Sequence, residues 1–162
     1  MDGFRFEFPD TGLTIVPFDV KEPESKYYHG RILHSVDFII ETQGVDYYVE
    51  LKDYTVKDPK KDGESGKEFR KRLMDSLKHK FRDSLLCRFL MDAPERQRRY
   101  ICLLDTDSAL LGPLQQELPH LLPTGPQPNW KYPMLDTCLV MNLKAWNTRF
   151  SDWPVTKSKR PE

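Results

Sequence analysis

The stretch that most constrains the fold is residues 36–54, VDFIIETQGVDYYVELKDY. Two runs rich in β-branched and aromatic residues, residues 36–41 and 45–52, flank a short polar joint that ends in Gly44. Such runs are typical of β-strands, and a short glycine-containing joint between them predicts a β-hairpin. If Gln43 and Gly44 are the two turn residues, Asp37 faces Glu50 across the hairpin.

This register gathers charged residues at the open end of the hairpin. Side chains alternate between the faces of a strand, so Asp37 shares a face with Glu50 and Lys52. Like charges directly opposed in a sheet destabilise it by some tenths of a kcal/mol up to about 1 kcal/mol. We therefore expect Lys52, a divalent cation, or both to compensate the two acids. The other face, which we predict to be the core face, carries Phe38, Ile40, Tyr47, Val49 and Leu51.

Asp37, followed after twelve residues by Glu50-Leu51-Lys52, resembles the D…(D/E)xK signature of the PD-(D/E)xK nuclease superfamily. Val36 stands where the signature has proline. The resemblance implies an α/β, restriction-endonuclease-like fold, with a mixed central β-sheet flanked by helices. It also implies hydrolysis of phosphodiester bonds with Mg²⁺ or Mn²⁺, bound by Asp37, Glu50 and the backbone carbonyl of Leu51, while Lys52 activates water.

A long basic helix is predicted after the hairpin. Ser65 and Glu68 have the spacing of a capping box, and the helix should run to about Leu90. Apolar residues recur at every fourth position, Phe69, Leu73, Leu77, Phe81, Leu85 and Phe89. The other faces are the most basic part of the chain, and we predict that they contact nucleic acid, DNA rather than RNA, through Lys71, Lys78 and Arg82. The alternative is a solvated helix surface.

The remaining segments complete a single domain over residues 1–162. Two N-terminal strands within residues 1–25 are joined by a turn at residues 9–12 and precede or edge the sheet. A third central strand at residues 99–104, a strand at residues 136–142 and a short helix at residues 143–150 follow. Pro113 and Pro119 should shorten the helix at residues 110–122. We predict that residues 154–162 are a disordered tail.

Composition bounds the class of protein. Lys and Arg total 25, as do Asp and Glu, so the formal net charge is zero and any attraction for a polyanion must come from local patches. The three cysteines are odd in number and widely spaced, which indicates buried free thiols in a reducing compartment. No run reaches the roughly 18 apolar residues of a membrane span, so a cytoplasmic protein without a membrane partner is expected.

Several alternatives stay open on the sequence alone. The acids and Lys52 could be a polar cluster on a solvent-exposed sheet face, with Glu41 and Asp46 solvated near the turn. Tyr48 could bind phosphate or pack under the helix. The chain could also be a non-catalytic module that binds nucleic acid or protein on the same fold, a defence effector that requires a partner subunit, or a homodimer.

Overall fold

A computed structural model describes residues 4–6, 13–29, 32–54, 63–91, 95–106 and 108–157 of the chain. The fold is α/β, and the predicted order of elements is confirmed as far as the third helix. The predicted turn at residues 9–12 lies outside the described residues. In chain order the elements are β1 (Phe4–Phe6), β2 (Thr14–Pro17), β3 (Phe38–Glu41), β4 (Val45–Asp53), α1 (Gly66–Leu90), β5 (Gln97–Asp105), α2 (Ser108–Leu121), β6 (Thr137–Met141), α3 (Leu143–Arg149) and β7 (Val155–Lys157).

The central hairpin has the register that the sequence predicted. Strands β3 and β4 pair antiparallel, with Phe38 opposite Val49 and Glu41 opposite Asp46. Gly44 has a φ of +88°, in the left-handed region that glycine enters without a steric penalty. The strand pairing begins at Phe38, so Asp37 lies one residue before the paired part of β3.

The main sheet is mixed, with strand order β2-β3-β4-β5-β6. The pairs β4–β5 and β5–β6 are parallel, and the intervening helices α1 and α2 make the crossovers that parallel pairs require. One core lies between the sheet and these two helices and contains Ile39 and Tyr48. A second core, on the face that carries α3, contains Phe38, Val49 and Trp146.

The prediction of a single core face was therefore wrong. Both faces of the hairpin are buried, because crossover helices cover one side of a sheet and α3 covers the other. Tyr48 is 1% exposed and packs edge-on against Phe81 of α1, with ring centroids 5.3 Å apart. The structure therefore bears out the alternative in which Tyr48 packs under the helix.

Helix α1 begins and ends where predicted, but its buried face turns. The capping box between Ser65 and Glu68 is formed in both directions. The predicted fourfold stripe is fully buried as far as Phe81, Leu85 is half-buried against the core, and Phe89 is 72% exposed. At 3.6 residues per turn, each step of four advances about 40° beyond a full turn, so a long fourfold series rotates away from the sheet. The buried face continues instead through Ser84, Cys87 and Arg88.

Two further expectations about the C-terminal half need correction. Helix α2 contains both Pro113 and Pro119 without ending at either. Each proline removes one backbone hydrogen bond, while the buried Leu114 and Leu118 anchor the helix on the sheet. Residues 155–157, which were assigned to the tail, form β7 and pair with β1.

The cysteine prediction is confirmed within the described residues. The thiols are free and buried, at Cys87, Cys102 and Cys138. Among the same residues, no helix is long and apolar enough to cross a bilayer.

Candidate active site

The three signature residues lie at the buried, helix-covered face of β4 and its junction with β3. Glu50 is 0% exposed, which excludes a polar cluster on a solvent-exposed sheet face. The Nζ atom of Lys52, two residues along the same strand face, lies 2.6 Å from Glu50 Oε1. The alternation of side chains that the sequence predicted is what brings this pair together.

A second lysine, Lys80 of α1, completes the ion cluster and was missed by the sequence analysis. Its Nζ atom lies 2.7 Å from Oε1 of Glu50 and 2.9 Å from Oε2. The signal was present, because Lys80 follows Leu77 by three residues and precedes Ser84 by four, the spacings of one helix face. Lys80 lies outside the apolar series at every fourth position, so that series did not indicate its place on the inner face of α1.

The Oε1 atom of Glu50 is a buried acceptor in an ionic environment. Both ammonium groups approach it within ion-pair distance. Neither contact is a well-directed hydrogen bond, so the oxygen has no hydrogen-bond partner among the described residues. With two ammonium groups within 2.7 Å of this oxygen, a metal cation could reach it only by displacing one of them.

The charges of the site perturb one another. Burial raises the pKa of Glu50, the negative charge of Asp37 raises it further, and the two lysines oppose the rise. Burial alone would lower the pKa of Lys52, but contact with the Glu50 carboxylate and the charge of Asp37 together raise it above its ordinary value. Lys52 is therefore protonated at neutral pH in this arrangement.

Asp37 is held in place one residue before β3 begins. Its backbone carbonyl accepts hydrogen bonds from the N–H groups of Phe18 and Asp19, at 3.0 and 3.4 Å, which turns the chain toward β2. Its side-chain Oδ2 accepts a hydrogen bond of 2.7 Å from the backbone N–H of Leu51. The Asp37 carboxylate thus takes the place of the backbone carbonyl that would accept this hydrogen bond if the pairing of β3 with β4 continued. The N–H and C=O of one strand residue point to the same edge, so the Leu51 carbonyl is directed toward the Asp37 side.

This donor set fits a hard cation better than a soft one. Asp37, Glu50 and the Leu51 carbonyl offer only oxygen, and Mg²⁺ in proteins commonly takes one or two carboxylates and keeps several waters. Across the described ranges, no group of three or more His, Cys, Asp or Glu side chains could hold a metal ion. If Mg²⁺ or Mn²⁺ binds here, Asp37, Glu50 and the Leu51 carbonyl are the groups that would hold it, and water or substrate would fill the other coordination positions.

The predicted nucleic-acid contacts lie on the outer side of α1. Lys71 and Arg82 are exposed, and Lys78 makes an ion pair of 2.8 Å with Asp75. None of these three residues belongs to the ion cluster around Glu50 in the described structure. Their role in binding stays a prediction.

The acids near the turn form a separate ion-pair cluster in which Asp46 is buried and Glu41 is half-buried, so the expectation that both are solvated was wrong. Asp46 is 2% exposed, and its Oδ1 lies 2.6 Å from Nε of Arg96. Arg88 of α1 reaches Glu41 at 2.7 Å and Asp46 at 3.6 Å. Arg96 also donates to the backbone carbonyls of Thr42 and Val45, which fixes the turn end of the hairpin.

Similarity to characterised proteins gives no further guide to this site. No family model, curated protein or solved structure matches the chain. Membership of the PD-(D/E)xK superfamily therefore stays a prediction that depends on Asp37, Glu50 and Lys52.

Proposed function

We propose that this protein is a metal-dependent nuclease with a restriction-endonuclease-like fold. One observation carries the proposal: the carboxylates of Asp37, one residue before β3, and of Glu50, on β4, lie beside the Lys52 ammonium group on the helix-covered side of the sheet. The backbone hydrogen bond from Leu51 to Asp37 fixes the first carboxylate, and the strand fixes the second. Both carboxylates are thus in place before a substrate binds, which is the preorganisation that electrostatic stabilisation requires.

The chain's own groups fit phosphodiester hydrolysis. Mg²⁺ or Mn²⁺, when bound by Asp37, Glu50 and the Leu51 carbonyl, supplies Lewis acidity and lowers the pKa of bound water. Protonated Lys52 can donate a hydrogen bond to a phosphate oxygen or to the attacking water and stabilise the developing negative charge. A cation that shared the charges of Asp37 and Glu50 would lower the pKa of Lys52, so that a larger fraction of its amine would be unprotonated and able to take a proton from water.

Lys80 has a place in the same proposal. In the free protein it neutralises Glu50, and its side chain is 15% exposed. A cation bound by Glu50 would repel the ammonium group, which can then contact a phosphate oxygen of the substrate. We propose that α1 delivers this lysine to the scissile phosphate while its exposed residues contact the backbone elsewhere, at Lys71, Lys78 and Arg82, with DNA the favoured substrate.

The decisive test is cleavage by purified protein of single- and double-stranded DNA and RNA with Mg²⁺, Mn²⁺ or EDTA. Asp37→Asn and Lys52→Met should each reduce the cleavage rate at least about 100-fold, as expected for loss of a metal ligand or a proton-transfer group. Asp152→Asn and Lys144→Met, on exposed residues remote in the chain, are the matched controls. Cleavage that survives both site substitutions would contradict the proposal.

A second candidate is a non-catalytic binding module. It is favoured by the observation that Lys52 and Lys80 both contact Glu50 in the free protein, which closes the position that a cation would take. In that case Mn²⁺ would not raise the melting temperature with or without nucleic acid present, and nucleic-acid binding would be salt-sensitive and unchanged by Lys52→Met. A clear Mn²⁺-dependent stabilisation that is lost in Asp37→Asn would count against it.

A further inference from the structure

Arg72 of α1 is clamped by a carboxylate in a geometry that phosphate can also adopt. Its Nε lies 2.8 Å from Oε1 of Glu64, and its Nη2 lies 2.8 Å from Oε2. This is the two-pronged pairing that the planar guanidinium fork makes with carboxylates and with phosphates alike. A carboxylate in this position is therefore a chemical stand-in for a phosphate group.

The Arg72–Glu64 pair is connected to the candidate site through two aromatic rings. The Arg72 guanidinium sits over the ring of Phe69 at 5.4 Å, and that ring packs edge-on against Tyr54, with centroids 5.8 Å apart. Tyr54 follows Lys52 by two residues and lies one residue beyond the end of β4. Burial raises the pKa of Tyr54, and the positive charges of Lys52 and Arg72 both oppose the rise, as expected if both cations flank the phenol.

Arg72 is too far along α1 to share the phosphate that Lys80 would contact. Eight residues of α-helix separate the two, which is about 12 Å along the axis. A nucleic-acid strand that passes over Lys52 and Lys80 would therefore bring a neighbouring phosphate, not the scissile one, to Arg72.

We propose that Arg72 binds a phosphate flanking the scissile bond, and that Glu64 holds the same guanidinium as an internal competitor until nucleic acid displaces it. The proposal rests on the proposed function, because it requires a nucleic-acid strand across the Asp37–Glu50–Lys52 site. The Arg72 side chain is 41% exposed and that of Glu64 is 10% exposed, so the guanidinium is open to a ligand while the carboxylate is largely covered.

The competitor model and a purely structural role predict changes of different sign in nucleic-acid affinity. If the pair only fastens the segment before α1 to the helix, removing either partner breaks the same contact, and both variants should change binding in the same direction. If Glu64 competes with phosphate, removing Arg72 weakens binding, whereas removing the charge of Glu64 strengthens it.

The test is the fluorescence anisotropy of a labelled DNA duplex, and of the matching RNA duplex, titrated with protein in a Lys52→Met background that does not cleave. Arg72→Gln should raise Kd about fivefold or more and reduce the slope of log Kd against log salt by about one phosphate contact. Glu64→Gln should lower Kd about two- to fivefold, because it removes a repulsive charge and a competitor. Arg72→Lys, which keeps the charge and loses the fork, should fall between.

The matched controls come from the same helix. Arg70 pairs with Glu117 of α2 at 3.6 Å, so Arg70→Gln and Glu117→Gln change the same charges away from the Tyr54 side. They should alter Kd less than about twofold. Thermal unfolding of each variant confirms that the fold is retained.

The outcomes separate the two proposals. Equal effects of Arg72→Gln and Glu64→Gln, or no effect of either, would overturn the assignment of Arg72 while cleavage by the unmodified protein left the nuclease proposal standing. Absence of binding in every variant, together with absence of cleavage by the unmodified protein, would overturn both.

Discussion

Replacement of Lys80 by methionine tests the geometry on which the candidate site depends. Methionine keeps the apolar stem and removes only the ammonium group that lies 2.7 Å from Glu50 Oε1. Deleting one partner of a buried ion pair typically costs roughly 3–5 kcal/mol, because a charge is left buried without compensation. Lys52 still contacts the same carboxylate, so we expect about half of that loss, ~2 kcal/mol.

Urea and thermal unfolding, followed by circular dichroism at neutral pH, measure this loss. For a chain of this length, ~2 kcal/mol corresponds to a decrease in melting temperature of about 4–8 °C. Lys78→Met is the matched control, since its partner Asp75 is 45% exposed, unlike the buried Glu50, and an ion pair within one helix contributes about 0.3–0.5 kcal/mol. Equal stability of the two variants would refute the buried contact between Lys80 and Glu50.

The Lys80→Met variant also tests whether a cation binds beside Glu50. Mn²⁺ that binds beside Glu50 must displace an ammonium group from the carboxylate in the unmodified protein, but need not displace Lys80 in the methionine variant. Saturating Mn²⁺ should therefore raise the melting temperature of Lys80→Met more than that of the unmodified protein. The opposite order would contradict a cation position at Glu50.

Three further predictions concern the fold around the site. Arg96→Met should lower the free energy of unfolding by roughly 3 kcal/mol in urea titrations, because it leaves the buried carboxylate of Asp46 and two hairpin carbonyls without this partner. Burial raises the pKa of Tyr48 to about 12 from an ordinary value of 10, so the folded state holds its proton over a range where the unfolded chain loses it. Stability should therefore fall as the pH rises from about 10 to 12, and Tyr48→Phe should flatten that slope in urea titrations at a series of pH values. The thiols should react with an aromatic disulfide reagent only on unfolding, because all three are buried and burial raises the pKa of each, Cys87, Cys102 and Cys138.

Local pattern predicted the hairpin because its determinants are local. The alternation of apolar residues in β3 and β4, with Gly44 between them, specified both the register and the face shared by Glu50 and Lys52. The cap of α1 at Ser65 was predicted for the same reason, since the bonding partner is three residues away.

The missed features all depend on contacts between distant segments. The partner of Asp46, Arg96, lies fifty residues further along the chain, and β7 pairs with a strand at the opposite terminus. No periodicity within either segment encodes such a pairing. Lys80 is intermediate, since its position on the inner side of α1 follows from helix geometry once the turn of the stripe is known.

The charge balance of the site explains why these distant contacts matter for function. Asp37 and Glu50 carry two negative charges, and Lys52 and Lys80 carry two positive ones, so the free site is neutral and Glu50 can remain buried. A divalent cation entering alone would leave two excess positive charges beside it, which is unfavourable where water is scarce. A cation that enters with the phosphates of a nucleic acid brings compensating negative charge, and both ammonium groups then gain a phosphate partner. Metal and substrate should therefore bind this site cooperatively, and the lysine pair that closes it in the free protein is the feature that couples them.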